Sequence, residues 1–185
     1  MLSTGTTLLM ATLAANAAAF DAPNLPRSSI EAGLKKAACT LSPSEAKVVG
    51  TEWLGHHLQI VEVSCWRKGS DTGSILFAVP TDGMGRAELI MTEHWNGHRA
   101  VPGYTVASPG YDRKTRTLGS VREARAAGDC GTIKEWKWTG WFFQLIQVAH
   151  KKVCDGEPFS WDNSREWQVF PGRETMLPDE PILTR

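Results

Sequence analysis

The run Gly128-Asp129-Cys130-Gly131, followed by Trp136-Lys137-Trp138-Thr139-Gly140 and then by Cys154, constrains this chain more than any other segment. It sets a cysteine in a glycine-flanked turn, an aromatic hairpin behind it, and a second cysteine beyond the hairpin. Trp136 and Trp138 alternate with period two, so in a strand both face one side. Thr139-Gly140 reads as a two-residue hairpin loop, returning the chain through Trp141, Phe142, Phe143, Leu145 and Ile146. A hairpin this apolar near its turn must bury one face in a core and cover or offer the other. It describes how a small β-domain is held together, and it carries no signature of a reaction.

Compartment follows from two further features. Residues 8–19 (LLMATLAANAAA) are apolar and end in small residues, as a signal peptidase accepts. The run is shorter than the roughly 20 apolar residues of a membrane-crossing helix, and a cleaved leader over residues 1–19 is expected. No Lys or Arg precedes the run. The remaining cysteines, Cys39, Cys65, Cys130 and Cys154, are an even set, which in an exported chain reads as two disulfides. Sequential pairing, Cys39 with Cys65 and Cys130 with Cys154, closes two local loops of similar length. Four-cysteine metal ligation is disfavoured because no CxxC pair occurs. Formal net charge is zero with or without residues 1–19, so no electrostatic footprint for nucleic acid or anionic lipid exists.

Residues 20–170 are expected to form one β-rich domain, and residues 171–185, with three prolines, an extended tail. Pro-bearing residues 21–27 lead into one short helix capped by Ser28 or Ser29, with Ile30, Leu34 and Ala37/Ala38 on its apolar stripe. Strands are expected over 47–54, 58–66, 74–80, 86–93, 104–108, 117–122, 133–138, 141–149 and 165–170, with turn residues between them. The fold class is therefore mainly β: an antiparallel sandwich, barrel or twisted sheet, disulfide-stabilised, with one short N-terminal helix.

Eight tryptophans serve first as core, since each large aromatic buries on the order of 150–250 Å². Trp66, Trp95 and Trp141 lie nearest to turns and are the candidates for an exposed glycan or peptide platform.

The order Pro109-Gly110-Tyr111-Asp112, Thr115-Arg116-Thr117-Leu118, Ala127-Gly128-Asp129-Cys130-Gly131, Glu135-Trp136-Lys137-Trp138-Thr139-Gly140, Phe143-Gln144-Leu145, Cys154 and Trp167 resembles an exported bacterial family. That family is catalogued as domain of unknown function 1176. The resemblance is dense over residues 109–169 and weak before them. It implies an extracytoplasmic location and structural roles for the motif residues, and it promises no activity.

Other constellations yield little. His94-Trp95-Asn96-Gly97-His98 spaces two histidines as zinc ligands on a helix would be, but Asn-Gly between them demands a turn. Adjacent His56 and His57 would face opposite sides of a strand. No G-x-S-x-G elbow occurs, and oxidised cysteines are not nucleophiles. Asp129 and Glu135 suggest an acid–base pair, yet an Asp beside Cys130 in a glycine turn is better placed to accept backbone N–H bonds. Gly83-Met84-Gly85 is a loop signal without a following helix to cradle phosphate. The expectation is an exported, periplasmic or secreted protein without catalytic residues, cofactor or metal. Its role would be binding or envelope-associated, toward an envelope protein or a glycan. Inhibition of a host or competitor enzyme is one alternative, and an envelope hydrolase with a cryptic carboxylate pair is another.

Overall fold

A computed structural model of the chain describes residues 25–68, 71–82, 85–125 and 127–171. The expected leader lies outside these residues, as does the expected tail beyond Pro171. Helix α1 (Arg27–Lys36) precedes β1 (Val48–Trp53), β2 (Leu58–Lys68) and β3 (Asp71–Pro80), which pair antiparallel in that order. Along β2 and β3 the side chains alternate between two buried faces. Val61, Val63, Ile75, Phe77 and Val79 meet Leu34 of α1, while Ile60 and Leu76 point into the core on the other side. Burial on both faces explains the unbroken apolar run Ile75–Val79 in β3. The helix differs from expectation at its start: Pro26 occupies the capping position, and neither serine caps it. The Pro26 carbonyl instead accepts the N–H groups of Ser29 and Ile30 at 2.9 and 3.2 Å.

The strand expected over 86–93 divides in two. β4 (Glu88–Leu89) pairs with β3, whereas β5 (Thr92–Trp95) enters a second sheet. β6 (Ala100–Gly103) pairs with β5, β7 (Thr105–Ala107) returns to β3, and β8 (Pro109–Asp112) rejoins the second sheet. This segment therefore passes between the sheets repeatedly and stitches them together. The rest of the second sheet is β9 (Thr117–Glu123), β10 (Gly131–Trp138) and β11 (Phe143–Lys151), in the order β6-β5-β11-β10-β9-β8, with β12 (Gln168–Phe170) on β11.

The sheets face one another across Ile60, Leu76, Val106, Leu118, Trp136, Trp138, Phe143 and Leu145. The fold is mainly β, with two distinct sheets and no closed barrel among the described residues. Trp136 and Trp138 share the inner face, as their spacing requires. A bulge in β11 lets the chain serve both faces: Glu135 opposes Gln147 but Trp136 opposes Leu145, so Ile146 is the extra residue. Phe143 and Leu145 before the bulge, and Val148 after it, all reach the core, while Ala149 turns outward.

Two local expectations fail for hydrogen-bonding reasons. The β10–β11 loop has four residues, 139–142, because Thr139 Oγ1 accepts the N–H groups of Trp141 and Phe142 at 3.3 and 3.2 Å. Trp141 therefore sits in the loop, not in the strand. The strand expected over 165–170 begins as a 3-10 turn (Ser164–Trp167), with Ser164 Oγ donating to the Trp161 carbonyl at 2.9 Å. Disulfides join Cys39 to Cys65 and Cys130 to Cys154. The first ties the end of α1 to β2, and the second ties the turn before β10 to the segment after β11.

Candidate functional site

The register of the second sheet carries one row straight across four strands. Gly110 lies opposite Gly119, Gly119 opposite Glu135, and Glu135 opposite Gln147. The outward face of this sheet is covered at one end by the segment after β11, through Phe159, which packs on Ile133 and Ala149. The glycine–cysteine turn exists to hold that segment. Beyond the Cys130–Cys154 bond, Gly156 N–H donates to Asp129 Oδ2 at 2.7 Å and Phe159 N–H donates to the Gly128 carbonyl at 3.2 Å. Gly131 has φ of +152°, and a Cβ there would stand 2.2 Å from the Arg122 carbonyl oxygen, so no other residue fits.

Two ion pairs complete the clamp. Arg125 forks onto Asp129, with Nε at 2.7 Å, and these hydrogen bonds hold the Asp129 carboxyl well below the usual carboxylate range. Arg125 also donates to the Cys154 carbonyl at 3.1 Å. Lys151 is buried, donating to Asp155 Oδ1 at 2.6 Å and to the Glu157 carbonyl at 2.8 Å, with its ammonium 5.1 Å over the Trp167 ring. The hydrogen bond from Lys151 is the main reason the Asp155 carboxyl is also held low. A buried lysine tolerates its position only with such partners.

The clamped segment delivers Trp161 to the glycine row. Gln147 Nε2 donates to Ser164 Oγ at 2.9 Å, linking the row's last member to the turn that carries Trp161. A Cβ on Gly119 would lie 2.9 Å from Trp161 Cζ2, so the ring edge rests on bare backbone. Beside it opens a cavity of about 550 Å³, bordered by Trp161, Gly110, Gly119, Val121, Glu135 and Asp112. Trp161 is 42% exposed and forms its aromatic wall. Asp112 Oδ1 is engaged by the N–H groups of Lys114 and Thr115 at 2.8 and 3.5 Å, and the Lys114 bond leads in lowering its pKa. Among the described residues no hydrogen bond or ion pair engages the Glu135 carboxylate. The shelf therefore offers an aromatic face, one unengaged carboxylate and a glycine-lined floor.

The three tryptophans proposed from turn proximity are scattered. Trp141 is 85% exposed at the hairpin tip. Trp95 is half-buried and stacks on Phe170 with ring centroids 4.9 Å apart. Trp66 is half-buried across the backbone of Gly73, where a Cβ would meet its indole at 2.0 Å. Proximity to a turn does not expose an indole when a later strand or a glycine receives it. Trp161, absent from those candidates, borders the cavity on the outer face of the second sheet; its signal was a Gly-Tyr strand pairing with a Leu-Gly strand, visible only once register is known.

Asp129 and Glu135 serve different places, the first in the clamp and the second on the shelf. The Cys130 and Cys154 sulfurs and the Asp129 carboxylate lie within 4.8 Å, but both sulfurs are joined to each other and ligate nothing. His98 lies in the β5–β6 turn, where Asn96 Oδ1 accepts the N–H groups of His98 and Arg99, both at 3.0 Å. His94 bonds Thr92 Oγ1 at 3.0 Å, and burial leads in pushing its pKa down to about 4. Neither histidine belongs to a metal-ligand cluster among the described residues. No described helix is long and apolar enough to cross a membrane.

The family described as protein of unknown function (DUF1176) matches residues 8–170. An Escherichia coli (strain K12) protein, "Uncharacterized protein YpfG", is 28% identical over 60 residues, which is 32% of this chain. The chain spans only 16% of that relative's length. No solved structure matches it significantly. With the family match covering most of its length, and the turn, hairpin and clamp in place, this chain belongs to the DUF1176 family.

Proposed function

We propose that this protein is an exported, non-catalytic binding protein whose outer-face shelf takes a short neutral saccharide. The observation that carries this reading is Trp161, braced on Gly119 beside the free carboxylate of Glu135, with Gly110 leaving the neighbouring floor open. An apolar sugar face stacks on an indole, while its hydroxyls donate to a carboxylate in charge-assisted bonds. A half-open cavity with few convergent polar groups is the usual form of a small-molecule site. Export is supported by the apolar residues 8–19 and by two disulfides, which persist in oxidising compartments. Binding is favoured over hydrolysis because Asp112, the other carboxylate on the shelf, already holds its own turn.

Glycan-array screening of the mature protein, followed by calorimetry with the best saccharide, tests this reading. Trp161→Ala and Glu135→Gln are each expected to abolish or strongly weaken binding while leaving the fold intact. A saccharide bound equally well by both variants, or no saccharide bound at all, overturns it. Turnover of a bound glycan that disappears in Glu135→Gln would replace it with the hydrolase reading.

A further inference from the structure

A second cavity, of about 200 Å³, opens between the two sheets beside β7. Trp66 and Val106 of the first sheet face Trp136 of the second, and the polar lining comes from Arg122, Lys134 and His94. No carboxylate lines this mouth. Arg122 reaches outward to Asp71, Nε to Oδ2 at 3.2 Å, an ion pair that is partly exposed on both sides. Among the described residues, no carboxylate pairs with Lys134. The register places Lys134 opposite Ser120 and Arg122 opposite Thr132, so the two cations stand on neighbouring strands of the same face.

Of the two cations, Lys134 is the one without a carboxylate partner among the described residues. Burial, with Arg122 as a second cause, lowers the pKa of Lys134, since both desolvation and a like charge disfavour its ammonium. The same Lys134 adds to burial in keeping His94 neutral. Nature removes such a penalty either by replacing the cation or by supplying an anion. Here the wall retains two cations, beside Ser120, whose hydroxyl donates to the Ala107 carbonyl, and Thr132, whose hydroxyl bonds His150 Nδ1 at 2.9 Å.

We infer that this mouth is a binding site for a small oxyanion, such as the phosphate or sulfate group of a solute, held between Lys134 and Arg122. The site is separate from the Trp161 shelf, on the opposite face of the second sheet, and does not depend on a saccharide binding there. An oxyanion would neutralise the facing cations and accept their charge-assisted hydrogen bonds, while Trp66 and Trp136 shield it from water.

The test is titration of the disulfide-bonded protein with inorganic phosphate and, in parallel, with sulfate, against chloride at matched ionic strength. Amide resonances followed by NMR should shift at Ser120, Thr132 and Lys134 with either oxyanion and not with chloride. Lys134→Met should weaken phosphate by about tenfold or more, the loss of one charge-assisted hydrogen bond, while Lys134→Arg should retain it. Lys137→Met removes a lysine on the other face of β10 and should leave the affinity unchanged. Equal affinity in the wild type and Lys134→Met overturns the proposal, as does a response that chloride reproduces. If Lys134→Met does not fold, Arg122→Met takes its place, and absent shifts in the wild type alone are enough to refute the site.

Discussion

Trp161 rests edge-on against the backbone of Gly119, in a contact that leaves no room for a Cβ: one built there would stand 2.9 Å from Trp161 Cζ2. The indole is positioned by what Gly119 lacks. Gly119→Ala should therefore lift the ring off the sheet and move its indole N–H resonance. Because Trp161 is partly exposed, the stability change should stay within about 1 kcal/mol. An unmoved Trp161 resonance would mean that the ring has another support.

The Cys130–Cys154 bond is predicted to act on the shelf from a distance. Replacing both cysteines by serine opens a loop with a sequence separation of 24. The loss should be about 3–4 kcal/mol by the loop-entropy argument. The segment that follows Cys154 should lose hydrogen-exchange protection before the β2–β3 core does, because its remaining ties are a few local contacts: those of Asp129, Arg125, Lys151 and Gln147, the Phe159 N–H bond to Gly128, and the Phe159 ring on Ile133 and Ala149. Uniform loss of protection across both sheets would refute the local clamp.

What could be read from the amino acids was what repeats regularly. Trp136 and Trp138 declared a shared face, the runs 58–66 and 74–80 declared strands that became β2 and β3, and the cysteine spacing suggested local closure. Between Glu88 and Asp112 the strand over 104–108 was legible and became β7, but the division of 86–93 and the strands β6 and β8 were not, because these elements last only two to four residues. No period develops over so short a span. The shelf was hidden for a different reason. Gly110, Gly119, Glu135 and Gln147 are far apart in sequence and become one row only through pairing register, and Trp161 reaches it from a coil held by hydrogen bonds.

The hairpin separates structural from surface tryptophans within four residues. Trp138 is 6% exposed, with its ring 5.1 Å from that of Phe143, whereas Trp141 is 85% exposed. Trp138→Ala should destabilise the protein by about 3–5 kcal/mol through the cavity it leaves. Trp141→Ala should change stability by less than about 0.5 kcal/mol. Urea unfolding of the two variants side by side decides the matter. A stable Trp138→Ala would contradict the assignment of the inner face.

Acid should weaken the fold in two separate windows, and His94 governs the upper one. Its folded pKa of about 4 lies below the ordinary 6.5, chiefly because burial disfavours the imidazolium and secondarily because Lys134 repels it. The unfolded chain therefore takes up a proton near pH 6.5 that the native state refuses until about pH 4. Stability from this group falls as pH drops across that interval and levels off below it, by up to about 3 kcal/mol in total. Asp129 and Asp155 act lower down. Their carboxyls are held below the usual range, so their contribution is intact above the unfolded carboxylate pKa and is lost only on stronger acidification. His94→Gln keeps a polar group near Thr92 Oγ1 but removes the titration. Urea midpoints measured between pH 7 and pH 4.5 should decline in the wild type and stay nearly level in His94→Gln. Parallel declines in both proteins would show that His94 is not the group whose protonation the native state resists.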